Sequence, residues 1–175
     1  PPRIGTVKPA GGIGNLVVRV GELGNKEINI KNCGRVKLSN DEIEKYKLLK
    51  GDIILARAIG SEKQLGKASF FDGFEEDIVI DSHVMRLRIN SDMCLPLWFY
   101  YLITSPQGKF LLQKSGGKTS VQFNINSRQI SSIKIPLPPI KIQTEFIKII
   151  NAIEKQQQKY LKKFNNLNEL KNSLS

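Results

Sequence analysis

Two short basic stretches, rich in hydroxyl and amide side chains, gather the groups in this chain best suited to binding a ligand. The first holds Arg57, Ser61, Lys63, Gln64 and Lys67; the second holds Lys114, Lys118, Thr119, Ser120, Gln122 and Asn124. Lysine and arginine neutralise phosphates, while arginine, glutamine and asparagine carry the paired donors and acceptors that match base edges. Both stretches contain glycines that invite comparison with a phosphate loop. Between Gly60 and Gly66-Lys67 lie five residues where that loop needs four, and Ala68 stands where a metal-binding hydroxyl is required. Gly117-Lys118-Thr119 has the right ending, but Leu112 stands where the first glycine should be. Neither is a nucleotide-binding loop.

The groups that could do covalent chemistry are few. His83 sits in a strand-like pattern with no nucleophile beside it, and reads as a packed or hydrogen-bonded histidine, not a base. Glu75-Glu76-Asp77 lacks the spaced oxygen ligands of a calcium loop and reads as a solvated turn. Cys33 and Cys94 lie 61 positions apart without a C-x-x-C, which argues against zinc and against a disulfide scaffold. No G-x-S-x-G, H-E-x-x-H or G-x-G-x-x-G occurs. No catalytic residue and no metal site is expected in this chain.

Charge narrows the partner. Residues 1–82 hold 13 basic and 12 acidic residues, net +1, whereas residues 83–175 hold 14 and 4, net +10. A surface drawn from the second part favours a polyanion, with nucleic acid the leading class and a merely solubilising surface the alternative. No run of 18 apolar residues is present, the opening Pro1-Pro-Arg-Ile has neither an initiator Met nor a signal-peptide core, and cysteine usage suits the cytoplasm. The opening reads as truncated.

The elements that would carry the two stretches follow from local pattern. Residues 1–15, with Pro9, Gly11, Gly12 and Gly14, read as an irregular loop; Leu16 to Val20 and Glu27 to Lys31 read as short strands. Ser39 and Glu42 form a capping box that opens a short helix through Ile43 to Leu48. Lys50-Gly51-Asp52 is a turn before the apolar run Ile53 to Ala56, read as a buried strand. Arg57 to Phe74 reads as a hairpin excursion, with Ile78 to Ile80 and His83 to Ile89 as further strands, the latter turning Arg86 and Arg88 away from its buried face. Pro96 to Ile103 reads as a helix, continued weakly by Gln107 to Lys114, and Ser115 to Ser120 as a donor-rich loop before Val121 to Ile125.

Prolines 136, 138 and 139 set an extended entry to a helix over 141–174 that no later glycine or proline interrupts. Phe146, Ile153, Tyr160, Leu167 and Leu174 share one heptad position; Ile142, Ile149, Gln156, Lys163 and Leu170 fall four residues earlier. Such a seam calls for a helical partner, and the interface residues expected are Ile142, Phe146, Ile149, Ile153, Tyr160, Leu167, Leu170 and Leu174. The fold class is α+β: a globular domain of mixed strands and short helices over 1–138, then one long helix over 139–175 that pairs as a coiled coil.

Several segments taken in order resemble one half of the specificity subunit of type I restriction-modification systems. They are Val17-Val-Arg-Val20, Tyr46-Lys-Leu-Leu-Lys-Gly-Asp-Ile-Ile-Leu-Ala-Arg57, His83-Val-Met-Arg-Leu-Arg88, Gly116 to Asn126, and Ile133-Lys-Ile-Pro-Leu-Pro-Pro-Ile-Lys-Ile-Gln143 with its helix. The resemblance implies a non-catalytic, target-reading domain whose long helix pairs with that of a second unit, each reading half of a split site in double-stranded DNA. It further implies separate modification subunits that methylate adenine with S-adenosylmethionine, and a restriction subunit using ATP and Mg. The chain departs from a full-length member in holding one unit. Two other readings stay open here: the recognition segment of a single-chain restriction-methylation enzyme, and an RNA-binding or structural coiled-coil protein.

Overall fold

The computed structural model describes residues 1–60, 66–115, 117–118 and 123–173. Its largest sheet runs β1-β8-β4-β6, formed by β1 (Arg3–Ile4), β4 (Ile53–Ala56), β6 (Ala68–Phe70) and β8 (Val84–Leu87), with every neighbouring pair antiparallel. All four residues of β4 are buried, as their unbroken apolar run requires of a strand covered on both faces. β2 (Asn15–Val18) lies between β3 (Gly34–Val36), antiparallel to it, and β7 (Ile78–Ile80), parallel to it. Gly5 and Thr6 stitch these two sheets together. Thr6 N–H donates to the Ile80 carbonyl at 2.9 Å, Ser82 N–H donates back to Thr6 at 2.8 Å, and a methyl group at Gly5 would overlap the Ile80 carbonyl.

Helix α1 (Asn40–Tyr46) starts where the capping box places it: Glu42 N–H donates to Ser39 Oγ at 3.3 Å and Ser39 N–H to Glu42 Oε2 at 2.9 Å. Gly51 holds φ +92° in the turn that follows, a conformation other residues rarely adopt. Helices α2 (Pro96–Thr104) and α3 (Pro106–Ser115) pack on the core, α2 through Trp98, Tyr100 and Ile103. Buried Tyr100 meets the edge of Phe70 at 6.3 Å between ring centroids and donates its hydroxyl proton to the Asn25 carbonyl.

Several expectations are corrected. The opening is not wholly irregular, because Arg3 and Ile4 pair with Arg86 and Met85. Glu27 to Lys31 is no strand. Ile28 and Ile30 do face the core on alternate residues, but the backbone closes locally, with a bridge between Leu23 and Ile28 and a 3-10 turn over Ile30–Asn32; the partner of β2 is β3. Arg86 is not turned outward. All four residues of β8 are buried, so both of its faces are covered and Arg86 lies inside, its guanidinium donating to the Lys47 carbonyl. The stretch after Ser115 is not all loop: β9 (Gly117–Lys118) pairs with β10 (Phe123–Asn124), which also pairs with β5 (Ala58–Ile59). Helix α4 (Ser127–Ser132) was not anticipated, although Asn126 and Gln129 form a second capping box with bonds of 2.8 and 2.9 Å.

The chain divides into two compact units, Pro1–Leu137 and Pro138–Ser175. The second is helix α5 (Ile140–Ser173), whose 34 residues extend about 50 Å. The Pro139 carbonyl accepts its first bonds, from the N–H groups of Ile142 and Gln143, and the buried Gln143 side chain donates to the Pro138 carbonyl at 2.7 Å. Ile142, Phe146, Ile149, Ile153, Tyr160, Leu167 and Leu170 are all exposed, and Leu174 lies outside the described residues. Leu161 and Phe164, absent from the strict heptad, are exposed too. Phe164 follows Phe146 by eighteen residues, which is five whole turns of a straight helix, whereas a seven-residue repeat drifts by about 20° per heptad. On the straight helix the stripe that begins at Phe146 therefore continues through Phe164.

Candidate nucleic-acid interface

The two basic stretches begin 57 residues apart in sequence, at Arg57 and Lys114, yet one small sheet joins them. In the order β5-β10-β9, Asn124 pairs with Ala58 on one side and Gly117 on the other, while Phe123 pairs with Ile59 and Lys118. Arg57 immediately precedes this sheet. Its Nη1 donates to the Ser82 carbonyl at 2.9 Å and its Nε to the Ile125 carbonyl at 3.4 Å, which fixes a half-buried guanidinium and uses two of its five N–H groups. Lys67 is tethered by Nζ to the Val20 carbonyl at 3.2 Å. Lys114 is exposed in the last turn of α3, Asn124 is half-exposed, and the Lys118 backbone lies in β9. Ser61, Lys63, Gln64, Thr119, Ser120 and Gln122 lie outside the described residues.

Beside Arg57 the surface opens into a broad cleft, walled by residues 7–10, the turn at 19–21 and the turn Asp81-Ser82-His83, with Ala58 at its edge. Reasoning from sequence marked neither Lys8 nor Arg19, both of which line it. Glycines and a proline around Lys8 read as loop, and Arg19 ends a strand, so only tertiary structure brings them near Arg57. His83 is exposed and held by Asp81, with 2.7 Å between its Nδ1 and Asp81 Oδ1.

Other ionic groups serve the scaffold. Glu42, bonded to Lys8 Nζ at 2.7 Å, has its carboxyl pulled down to about 2, first by that bond and then by the Ser39 N–H. Arg35 grips Glu76 through both nitrogens at 2.9 and 3.0 Å, which raises the arginine and lowers the carboxylate. Asp52, almost wholly buried, takes two bonds from Arg88 at 2.7 and 2.8 Å and one from the Leu49 N–H at 2.7 Å, and its bond to Arg88 is the main cause that raises that guanidinium. Burial, reinforced by Glu22, pushes the Cys33 thiol up to about 11, far from the range of a reactive thiolate. Among the described residues no three His, Cys, Asp or Glu side chains gather as a metal site, and no helix is long and apolar enough to cross a membrane.

This arrangement, a rigid sheet presenting two polar stretches and followed by a lone helix, has known counterparts. The family described as type I restriction modification DNA specificity domain matches residues 14–172, across both units. The chain belongs to that family. Among curated relatives it is 29% identical over 143 residues to the MjaX type I restriction enzyme specificity subunit of Methanocaldococcus jannaschii, a match over 81% of this chain and 33% of that protein. It is 27% identical over 174 residues to the StySPI specificity subunit of Salmonella potsdam, covering 94% of this chain and 38% of that one. With the EcoKI specificity subunit of Escherichia coli K12 it shares 24% over 166 residues, 90% of this chain and 36% of that one. The chain thus spans about a third of the length of these relatives. In fold it matches the HsdS subunit from Thermoanaerobacter tengcongensis with a TM-score of 0.58 at 16% identity, over 89% of this chain and 35% of that one. A chain from a structure of a type I R-M system, described for its complex assembly and conformational transition, gives a TM-score of 0.60 at 17% identity, over 89% of this chain and 36% of that one.

Proposed function

We propose that this chain is a DNA-recognition unit of a type I restriction-modification specificity subunit. The observation that carries the reading is a family match spanning globular unit and helix together, in the order a recognition domain and its spacer require. The globular residues 1–138 read one half of a bipartite site in double-stranded DNA. Arg57, Ser61, Lys63, Gln64, Lys67, Lys114, Lys118, Thr119, Ser120, Gln122 and Asn124 supply phosphate and base contacts; the sheet that joins the two stretches supports their acting on one duplex. Residues 139–175 set the spacing and pair with the helix of a second unit through the exposed apolar stripe.

The chain itself is non-catalytic in this account and acts in the cytoplasm. Modification subunits that bind S-adenosylmethionine, and a restriction subunit using ATP and Mg, do the chemistry where this unit places them. Reconstitution tests the division of labour. Modification subunits mixed with this chain, S-adenosylmethionine and a duplex library should methylate only duplexes that share a motif, and the chain alone should transfer nothing. Methylation without sequence preference, or turnover by the chain alone that a point mutation abolishes, contradicts the proposal.

A further inference from the structure

The cleft beside Arg57 lies in the first, nearly neutral part of the sequence, away from the charge excess that points to a polyanion. Its walls are nonetheless built for an anion. Arg19 is exposed, and no described carboxylate pairs with its guanidinium. Lys8 lines the same cleft, its charge shared with Glu42. Three carbonyl oxygens of lining residues that would repel a phosphate are already bonded: Val20 by the Lys67 ammonium, Ser82 by the Arg57 guanidinium, and His83 by the Arg57 N–H at 3.0 Å. Two of these bonds place further positive charge directly behind the cleft wall. The single acid among the described lining residues, Asp81, is 13% exposed and accepts at Oδ1 from the backbone N–H of His83, with the His83 ring at 2.7 Å from the same oxygen. The His83 ring meets Asp81 through Nδ1, and Nε2, which makes no bond to Asp81, is the ring nitrogen through which His83 would contact a ligand in the cleft.

We infer that this cleft, through Arg19, Lys8 and His83, binds the sugar-phosphate backbone of the DNA that the sheet β5-β10-β9 reads. Ala58 belongs to both, being a residue of β5 that lines the cleft, so a strand leaving the sheet passes directly into it. The inference rests on the DNA-reading proposal and adds a positioning surface that carries no sequence information of its own.

The test uses the assembled complex, with wild type, Arg19→Ala, Arg19→Lys and His83→Ala titrated by salt against the selected duplex and an unrelated duplex. Arg19→Ala should weaken both duplexes by the same factor and make the slope of log affinity against log salt shallower by about 0.9, the loss of one phosphate contact. Arg19→Lys should restore the slope, and His83→Ala should weaken both duplexes equally. Unchanged affinity and slope in a folded Arg19→Ala complex overturns the inference while leaving the DNA reading intact, and so does a loss confined to one base position. A wild-type complex that prefers no duplex overturns both.

Discussion

Asp52 explains why Gly-Asp-Ile-Ile-Leu, one of the stretches that carries the family resemblance, is a folding motif and not a reading motif. Gly51 adopts the positive φ, Asp52 closes the turn on the Leu49 N–H and clamps Arg88, and Ile53 to Leu55 enter the core. Replacing Asp52 with Ala leaves the Leu49 N–H without its acceptor and the Arg88 guanidinium without its carboxylate. Losing one partner of a fully buried pair costs about 3–5 kcal/mol, and since the Arg88 side chain is 43% exposed, water recovers part of that; we expect about 2–3 kcal/mol. Urea unfolding at fixed protein concentration reads this directly, and a midpoint equal to wild type would show that the clamp contributes nothing. Gln143 plays the corresponding part in the Pro-Leu-Pro-Pro motif, where its amide bonds the Pro138 carbonyl at the start of the long helix.

Helix α5 carries the assembly prediction. The exposed apolar stripe through Phe146, Ile149, Ile153, Tyr160 and Phe164 runs about 27 Å along the helix, and the proposed pairing would cover it with a second helix. Ile153→Asp places a charge within that stripe and should convert a dimer to a monomer by sedimentation at micromolar concentration, with the globular unit still folded; an unchanged mass defeats the pairing account. The long helix, the capped α1 and the buried β4 were readable from sequence because each rests on local chemistry: heptad spacing, a Ser39–Glu42 box, an unbroken apolar run. The two-residue strands were not. Arg3–Ile4, Ala58–Ile59 and Phe123–Asn124 owe their form to partners tens of residues away, Gly117–Lys118 pairs with Phe123–Asn124 a few residues on, and nothing within a two-residue window encodes either ladder. Phe164 was missed for the opposite reason. A strict count of seven hides a residue that the true 3.6-residue turn returns to the stripe.

Charge is divided between the two units, with a net +7 in Pro1–Leu137 and +4 in Pro138–Ser175 from the same +11 total, so the globular unit holds most of the attraction for a polyanion. The two polar stretches of the candidate site could be picked out by residue type, and the small sheet joins parts of them, with Arg57 immediately before β5 and Asn124 in β10, while Lys67 precedes β6 of the larger sheet. The geometry of the site could not, because Arg19 and His83 join Arg57 only through the packing of three loops. One unit offers a modest footprint, and two units joined by their helices gain from the high effective concentration of the second reader. Selection from random duplexes with the assembled complex puts the account to its sharpest test. We predict enrichment of a bipartite motif, two short specified blocks at one fixed spacing, with each block lost independently when one unit is exchanged. Recovery of no enriched duplex, or stronger enrichment from single-stranded RNA, would contradict the account.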